Sequence, residues 1–246
     1  MRAVLLAAGV GRRIGGEDGH QPKCLLKFDG KTLLQRHLEI IRACGLEEVV
    51  IGVGFRAEMI QTEIDMLGAD GFAKTILNPR YQEGSNLTLW AVRQAMRGEV
   101  LLMDADVLYD HRMLRKLMNT SHPNSFLMDR SFEPGEEPVK LCVREGRLIE
   151  FRKRIETDFD FCGESVGFFR FNAEGCRLLM DSCERYTAKP EECFEEALRE
   201  VILSAPDRMF GYEDVTGFPW IEIDFPRDIQ KAREEILPNL EDIDNA

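Results

Sequence analysis

Cysteine is present in an unhelpful number and arrangement. Seven cysteines stand at positions 24, 44, 142, 162, 176, 183 and 193, with no C-x-x-C pair. That spacing suits neither a zinc site nor a disulfide framework, and free thiols in a reducing cytoplasm are expected. Positive charge is also short. Lys and Arg total 32 against 44 Asp and Glu, a net charge of −12. A surface this acidic does not exchange counterions with nucleic acid, and anionic membranes do not attract it. No apolar run approaches the roughly 18 residues of a membrane span. The apolar stretch Ala3–Val10 is short for a leader and is followed directly by Arg12-Arg13, so a cytoplasmic protein is expected. The four histidines, at 20, 37, 111 and 122, lack ligand spacing and are assigned structural roles. Two nucleotide-binding fingerprints are missing as well. Ile14 occupies the sixth position of a would-be G-x-G-x-x-G, and no Lys-Ser/Thr follows the first glycines.

What the chain does have is alternation. Ala3–Ala8 is an apolar run suited to a buried parallel strand, and it ends in Gly9-Val-Gly11. Lys31–Cys44 has helical apolar spacing and stops at Gly45. Strands are expected at Glu48–Val53, Lys74–Leu77 and Val100–Met103, and helices at Glu58–Leu67, Ser85–Met96 and Met113–Met118, with Ser85 or Asn86 as the cap of the second. Through about residue 120 this is a βαβ pattern. Beyond it, Ser125–Asp129, Val139–Arg144, Leu148–Phe151 and Ser165–Phe171 read as antiparallel strands, with Glu145-Gly146 as a turn. Helices at Ala173–Arg185 and Phe194–Ala205, strands at Gly211–Val215 and Trp220–Ile223, and a helix at Pro226–Ile236 complete the pattern, and the tail Glu241–Ala246 is expected to fray. The 246 residues contain no repeat or linker, which favours one α/β domain.

Ligands of open α/β sheets bind beyond the carboxyl ends of strands. Three unusual features fall there: Gly9-x-Gly11, Asp104-x-Asp106 and Asp224. The first is a glycine turn bearing Arg12 and Arg13, with Lys23 beyond Gly15, Gly16 and Gly19. Its glycines let backbone amides approach an anion and its cations neutralise a polyphosphate; the same residues also suit an ordinary solvated turn. Asp104 and Asp106, two apart, share a face if the strand stays extended, and such a pair suits magnesium held against phosphates; aspartate is equally common in turns and caps. Asp224 is a second metal ligand or the N-cap of a helix beginning at Pro226. Cys24, beside Lys23, reads as packing.

L-A-A-G-x-G-x-R (Leu6–Arg13), P-K-x-L-L (Pro22–Leu26), G-K-T-L-L (Gly30–Leu34), D-A-D at 104–106, G-E-S-V-G-F-F-R-F at 163–171 and E-I-D at 222–224 occur in order over nearly the whole chain. Together they resemble the MobA-like and sugar-phosphate nucleotidyltransferase superfamily. N-P-x-Y-x-x-x-S-N-L-x-L-W (Asn78–Trp90) is most similar to its small cytidylyltransferases acting on phosphocholine, aminoethylphosphonate or inositol phosphate. The resemblance implies an α/β, Rossmann-like (GT-A-like) fold. Its sheet would be mixed, mainly parallel and flanked by helices, with a small antiparallel extension on the acceptor side. It also implies one domain over residues 1–246, with a nucleotide-binding half to about 120, an acceptor half from about 121 to 236, and the acidic tail. The implied reaction is Mg²⁺-dependent transfer of a nucleoside monophosphate, CMP from CTP, to a small phosphorylated acceptor. Arg13, Lys23 and Lys153 would meet phosphates. Leu6, Ala7, Ala8, Gly9 and Gly11, with Ser85, Asn86 and Asp104, would hold the nucleotide, and Asp106 and Asp224 the metal.

The acceptor is less legible. A quaternary ammonium calls for an aromatic box with acidic help. Tyr81, Trp90, Tyr212, Trp220 and Glu222 are available, but the stretch Glu136–Lys140 has no aromatic residue, which counts against phosphocholine. Lys140 and Arg152–Arg154 suit an inositol or glycerol phosphate, or a phosphonate. Rival readings are an NDP-sugar pyrophosphorylase, a D-x-D glycosyltransferase, which would not need the Arg13/Lys23 loop, and a nucleotide-sensing subunit, which would not need every cationic and metal residue retained.

Overall fold

The computed structural model describes residues 1–14, 21–132, 138–189 and 192–243. Gly15, Gly16, Gly19, His20, Glu136, Glu137 and the last three residues of the tail therefore lie outside the described residues. Four parallel strands form the centre of the sheet: β1 (Arg2–Ala7), β4 (Val49–Val53), β5 (Ala73–Leu77) and β6 (Val100–Asp104), in the order β6-β1-β4-β5. β1, β4 and β6 are apolar on both sides because helices cover both faces, whereas β5, at the edge, is partly exposed and carries Lys74 and Thr75. Along β1, Ala3, Leu5 and Ala7 face one core, and Val4 and Leu6 face the other. Helices α1 (Leu33–Ala43), α2 (Ala57–Met66) and α4 (His111–Met118) contribute to the first core; α3 (Ser85–Ala91), α5 (Ala173–Tyr186) and α6 (Phe194–Ser204) contribute to the second.

The change of pattern after residue 120 marks a change of strand direction. β11 (Phe161–Phe171) runs antiparallel to β6 through Phe168–Phe171, then continues past it to pair with β9 (Lys140–Arg144) through Phe161–Glu164. On its other side it pairs with β8 (Asn124–Asp129), with an irregularity between Ser165 and Phe169. Gly167 lies in that interval at φ +79, and a Cβ there would fall 2.3 Å from Asp104 Oδ2. β10 (Arg147–Arg152) closes a hairpin with β9, and β12 (Phe210–Asp214) runs parallel to β8. The sheet thus takes in strands from both before and after residue 120. The parallel core with an antiparallel acceptor-side extension matches the expected fold.

Two small ribbons complete the strands: β2 (Lys27–Phe28) with β3 (Lys31–Thr32), and β7 (Val107–Tyr109) with β13 (Trp220–Glu222). A third apolar cluster of Phe28, Leu33, Leu108, Ile223 and Ala232 lies between these ribbons and α7 (Pro226–Lys231).

Several boundaries differ from the pattern. The helix expected over Ser85–Met96 ends at Ala91, and the remainder is turns. Neither Ser85 nor Asn86 caps it. Gly84 is the N-cap, Ser85 Oγ accepts from Phe194 N, and Asn86 Nδ2 donates to Cys183 O, so both residues fasten α3 to α5 and α6. The helix from Pro226 is α-helical only to Lys231 and then passes through a π turn. The tail does not fray at Glu241, whose N–H donates to Asp110 Oδ2 and whose carboxylate accepts from Arg112. Among the described residues no helix is long and apolar enough to cross a membrane.

Candidate active site

At the carboxyl ends of β1 and β6 the chain opens a cleft of about 360 Å³. Leu6, Ala7, Gly9, Gly11, Arg12, Arg13, Lys23, Lys153, Asp106 and Asp224 all line it. Gly11 has φ +65, and a Cβ there would sit 3.1 Å from Lys23 Cγ, so glycine leaves the lysine its path. Lys23 opens a 3₁₀ turn (Lys23–Leu25) that is anchored by buried Cys24 and Leu25. Its Nζ donates to Asp106 Oδ2 at 2.8 Å and to Asp224 Oδ1 at 2.6 Å. Burial works against this ammonium, but the two carboxylates outweigh it and hold its pKa above the ordinary lysine value. Arg13 Nη1 lies 3.7 Å from Asp224 Oδ2, with its guanidinium over the Phe225 ring.

The two aspartates are 118 positions apart in sequence, and the β7–β13 ribbon joins them. Asp106 occupies the turn before β7, Asp224 follows β13, and Ile223 N donates to Asp106 O at 3.0 Å. Asp224 does not cap the following helix. Asp228 does that work, accepting from the N–H groups of Asp224 and Phe225 at 2.9 and 2.6 Å. The Asp224 carboxylate is thereby left to the cleft.

Asp104 departs from expectation. The strand ends at Asp104 and the chain turns, so Asp104 and Asp106 do not share an extended face. Asp104 lies against Gly167 and does not line the cleft. Burial first, then Asp106, Glu222 and Glu195, raise its carboxyl pKa. The third acid beside Asp106 and Asp224 is Glu222, and one oxygen from each of the three lies within 4.8 Å of the others. The Glu222 side chain is exposed, but lost hydration beside the packed site, then Asp106 and Asp224, raise its carboxyl pKa. These are hard oxygen donors converging where an ammonium already bridges two of them, and they fit a divalent cation such as Mg²⁺. The sequence reading considered Glu222 only for an aromatic box. The available signal was the E-I-D alternation, which puts Glu222 and Asp224 on one side of an extended segment. Arg12 also reaches the cleft, although only Arg13 was singled out.

Lys153 joins the cleft from the loop after β10, whose position is fixed by Lys140 Nζ donating to Lys153 O at 2.7 Å. Ala8, Ser85 and Asn86 do not line it; Ala8 is buried, its carbonyl accepting from Phe55 N, and Asn86 is fully buried. Tyr81, Trp90, Tyr212 and Trp220 do not form a box. Tyr81 packs on Gly54, Trp90 on the second core, Tyr212 on Phe161, and Trp220 donates to Asp129. Cys24 is buried with its thiol pKa raised, mainly by burial, as befits packing. His37 lies buried among Tyr109 and Phe168, and burial lowers its pKa to about 3, which keeps it neutral.

A mixed α/β sheet whose glycine loop, cations and two aspartates share one cleft is the arrangement of a nucleoside triphosphate transferase. The chain belongs to the MobA-like NTP transferase domain family, whose model matches residues 3–156. Among its relatives, the CTP:phosphoglutamine cytidylyltransferase of Campylobacter jejuni is 20% identical, the match covering 96% of this chain and 100% of that one. The bifunctional IPC transferase and DIPP synthase of Rubrobacter xylanophilus is 26% identical over 96% of this chain, which spans 52% of that longer protein. The inositol-1-phosphate CTP transferase from T. maritima superimposes with a TM-score of 0.78 at 19% identity, over 98% of both chains, a likeness of fold.

Proposed function

We propose that this chain transfers CMP from CTP to the phosphate of a small phosphorylated alcohol, or to a phosphonate, with release of pyrophosphate. The observation that carries this reading is the convergence of Arg13, Lys23 and Lys153 with Asp106 and Asp224 in one cleft beside the Gly9–Gly11 turn, with Glu222 adjoining the two aspartates. The reacting partners are both anions, so the site has to overcome their repulsion before any bond changes. An acceptor oxygen attacks the α-phosphorus as pyrophosphate departs on the opposite side, and little covalent work falls to the protein. Asp106, Asp224 and Glu222 would hold Mg²⁺, which supplies charge neutralisation at the phosphate oxygens.

In this reading the backbone from Leu6 to Gly11 seats the nucleotide, with Arg13 and Lys23 balancing the triphosphate. Lys153, on the acceptor-side loop, meets the acceptor phosphate. Ser85 and Asn86 serve by holding α3 against α5 and α6, and Asp104 stands behind the site. The names of the relatives favour cytidylyl transfer, and the full cover of the Campylobacter enzyme supports a small anionic acceptor.

The test is pyrophosphate release with CTP, ATP, GTP and UTP, each against phosphocholine, phosphoethanolamine, inositol phosphate, glycerol phosphate, aminoethylphosphonate and a sugar phosphate, with Mg²⁺. Turnover is expected from CTP with one acceptor class, and Asp106→Asn should lower it by at least about a hundredfold with the fold intact. No release from any pair by folded protein overturns the reading.

A further inference from the structure

Two cysteines face each other across the β9–β11 ladder. Cys142 of β9 and Cys162 of β11 are direct partners in an antiparallel register. Antiparallel ladders alternate between pairs that exchange backbone hydrogen bonds and pairs that do not. Ser165 N donates to Val139 O, and Asp160 N donates to Val143 O, both at 2.8 Å. The odd-numbered carbonyls of β9 therefore point at β11, which makes Cys142 and Cys162 a non-hydrogen-bonded pair. In such pairs the Cα atoms approach to about 4.5 Å, the narrow spacing, which lies inside the range a disulfide spans. Cys142 is buried and Cys162 is partly open to solvent. None of the other five cysteines stands opposite a cysteine across a ladder, since they lie on helices, turns or caps.

We propose that Cys142 and Cys162 are a redox modification site, a dithiol that hydrogen peroxide closes to a cross-strand disulfide and a thiol reductant reopens. The partly exposed Cys162 reacts first. Its thiolate sulfur attacks one peroxide oxygen, the O–O bond breaks, and the leaving oxygen takes a proton and departs as water, giving a sulfenic acid. The Cys142 sulfur, losing its proton, then attacks the Cys162 sulfur and expels the second water. Two S–H bonds are lost, one S–S bond forms, and the two electrons reduce the peroxide. No ladder hydrogen bond is given up, because the pair makes none. Burial, then the neighbouring Cys162 and Glu150, push the Cys142 thiol up to about 12, which suits it to the second step rather than to first attack on peroxide.

The position gives the modification a consequence. The next non-hydrogen-bonded pair along the ladder is Lys140 with Glu164, and Lys140 holds the carbonyl of Lys153. Closing the bridge fixes β9 against β11 one step from that strap.

The test treats the folded full chain with hydrogen peroxide, alkylates remaining thiols, and maps tryptic peptides. The expected product joins Leu141–Arg144 to Ile155–Arg170, lighter by two hydrogens than the reduced pair and separated by a dithiol reductant. Cys162→Ser should abolish the joined peptide and leave Cys142 alkylatable after unfolding, while Cys193→Ser should leave the joined peptide intact. A joined peptide that persists in Cys162→Ser, a bridge from Cys162 to another cysteine, or Cys162 oxidised beyond sulfenic acid with Cys142 still a thiol overturns the proposal. The readout needs no turnover, so it stands or falls apart from the transferase reading.

Discussion

Replacing Lys23 with Met removes an ammonium that bridges Asp106 and Asp224, where the side chains are 18%, 21% and 29% exposed respectively. Two carboxylates and nearby Glu222 would then face one another without a cation between them. Removing one partner of a fully buried ion pair costs about 3–5 kcal/mol. The cleft is open enough to screen part of that, so the expected loss is about 2 kcal/mol. For a chain of this size that lowers the melting temperature by roughly 4–8 °C. The folded-state pKa of Lys23 is raised, so its stabilising contribution is complete below the ordinary lysine value of about 10.4 and is lost only as pH rises beyond it. Measurement near pH 7.5 therefore compares a fully charged lysine with none. A divalent cation at the same carboxylates should restore the variant. At about ten times its dissociation constant it contributes about 1.4 kcal/mol, whereas in the wild type it first has to displace the ammonium. Thermal unfolding of both proteins, with chelator and across a Mg²⁺ titration, tests this. Equal midpoints in chelator, or equal Mg²⁺ gains in the two proteins, would refute the reasoning.

Three further outcomes follow from particular contacts. Asp110→Asn should cost about 2 kcal/mol in urea unfolding, since its carboxylate accepts from Arg112 N, Nε and Nη2 and from Glu241 N. Burial alone would raise the Asp110 carboxyl, but these donors outweigh it and hold the pKa low. Its stabilisation is therefore present above the ordinary value of about 3.9, and the gap between wild type and variant should close as pH falls below it; a gap unchanged at pH 3 would contradict the assignment. Gly167→Ala should cost about 2–3 kcal/mol by the same assay, because φ is +79 and the new methyl meets Asp104 Oδ2; a loss under about 0.5 kcal/mol would count against that crowding. Glu145→Asn should stabilise by about 0.5–1 kcal/mol, because Glu145 and Gly146 both have positive φ in the β9–β10 turn, where Asn-Gly is preferred; no gain in midpoint would exclude the strain.

The parallel core was readable because its three central strands are apolar on both faces, a pattern that few other structures produce. The acceptor-side strands were readable as segments but not as a topology. Nothing in the composition of Phe161–Phe171 says that one strand serves two neighbours in succession. The site was legible where a residue type is demanding, as at Gly11, Lys23 and Lys153, all of which reach the cleft. It was misread where local patterns compete. Asp104 was paired with Asp106 on the assumption of continued strand, and a turn decided otherwise. Ser85 and Asn86 looked like caps, but tertiary partners on α5 and α6 claimed their side chains. Asp224 could not be separated from a capping role until Asp228, four residues on, was seen to fill it.

The β7–β13 ribbon also orders events in time. During synthesis the chain emerges from its N-terminus, so Arg13, Lys23 and Asp106 are available long before Glu222 and Asp224. The region that matches the family model, residues 3–156, holds one acid of the trio and neither of the other two. A nascent or truncated chain therefore has a glycine loop with Lys23 short of its Asp224 partner, and the acidic trio is completed only when the last tenth of the protein folds back onto residue 106.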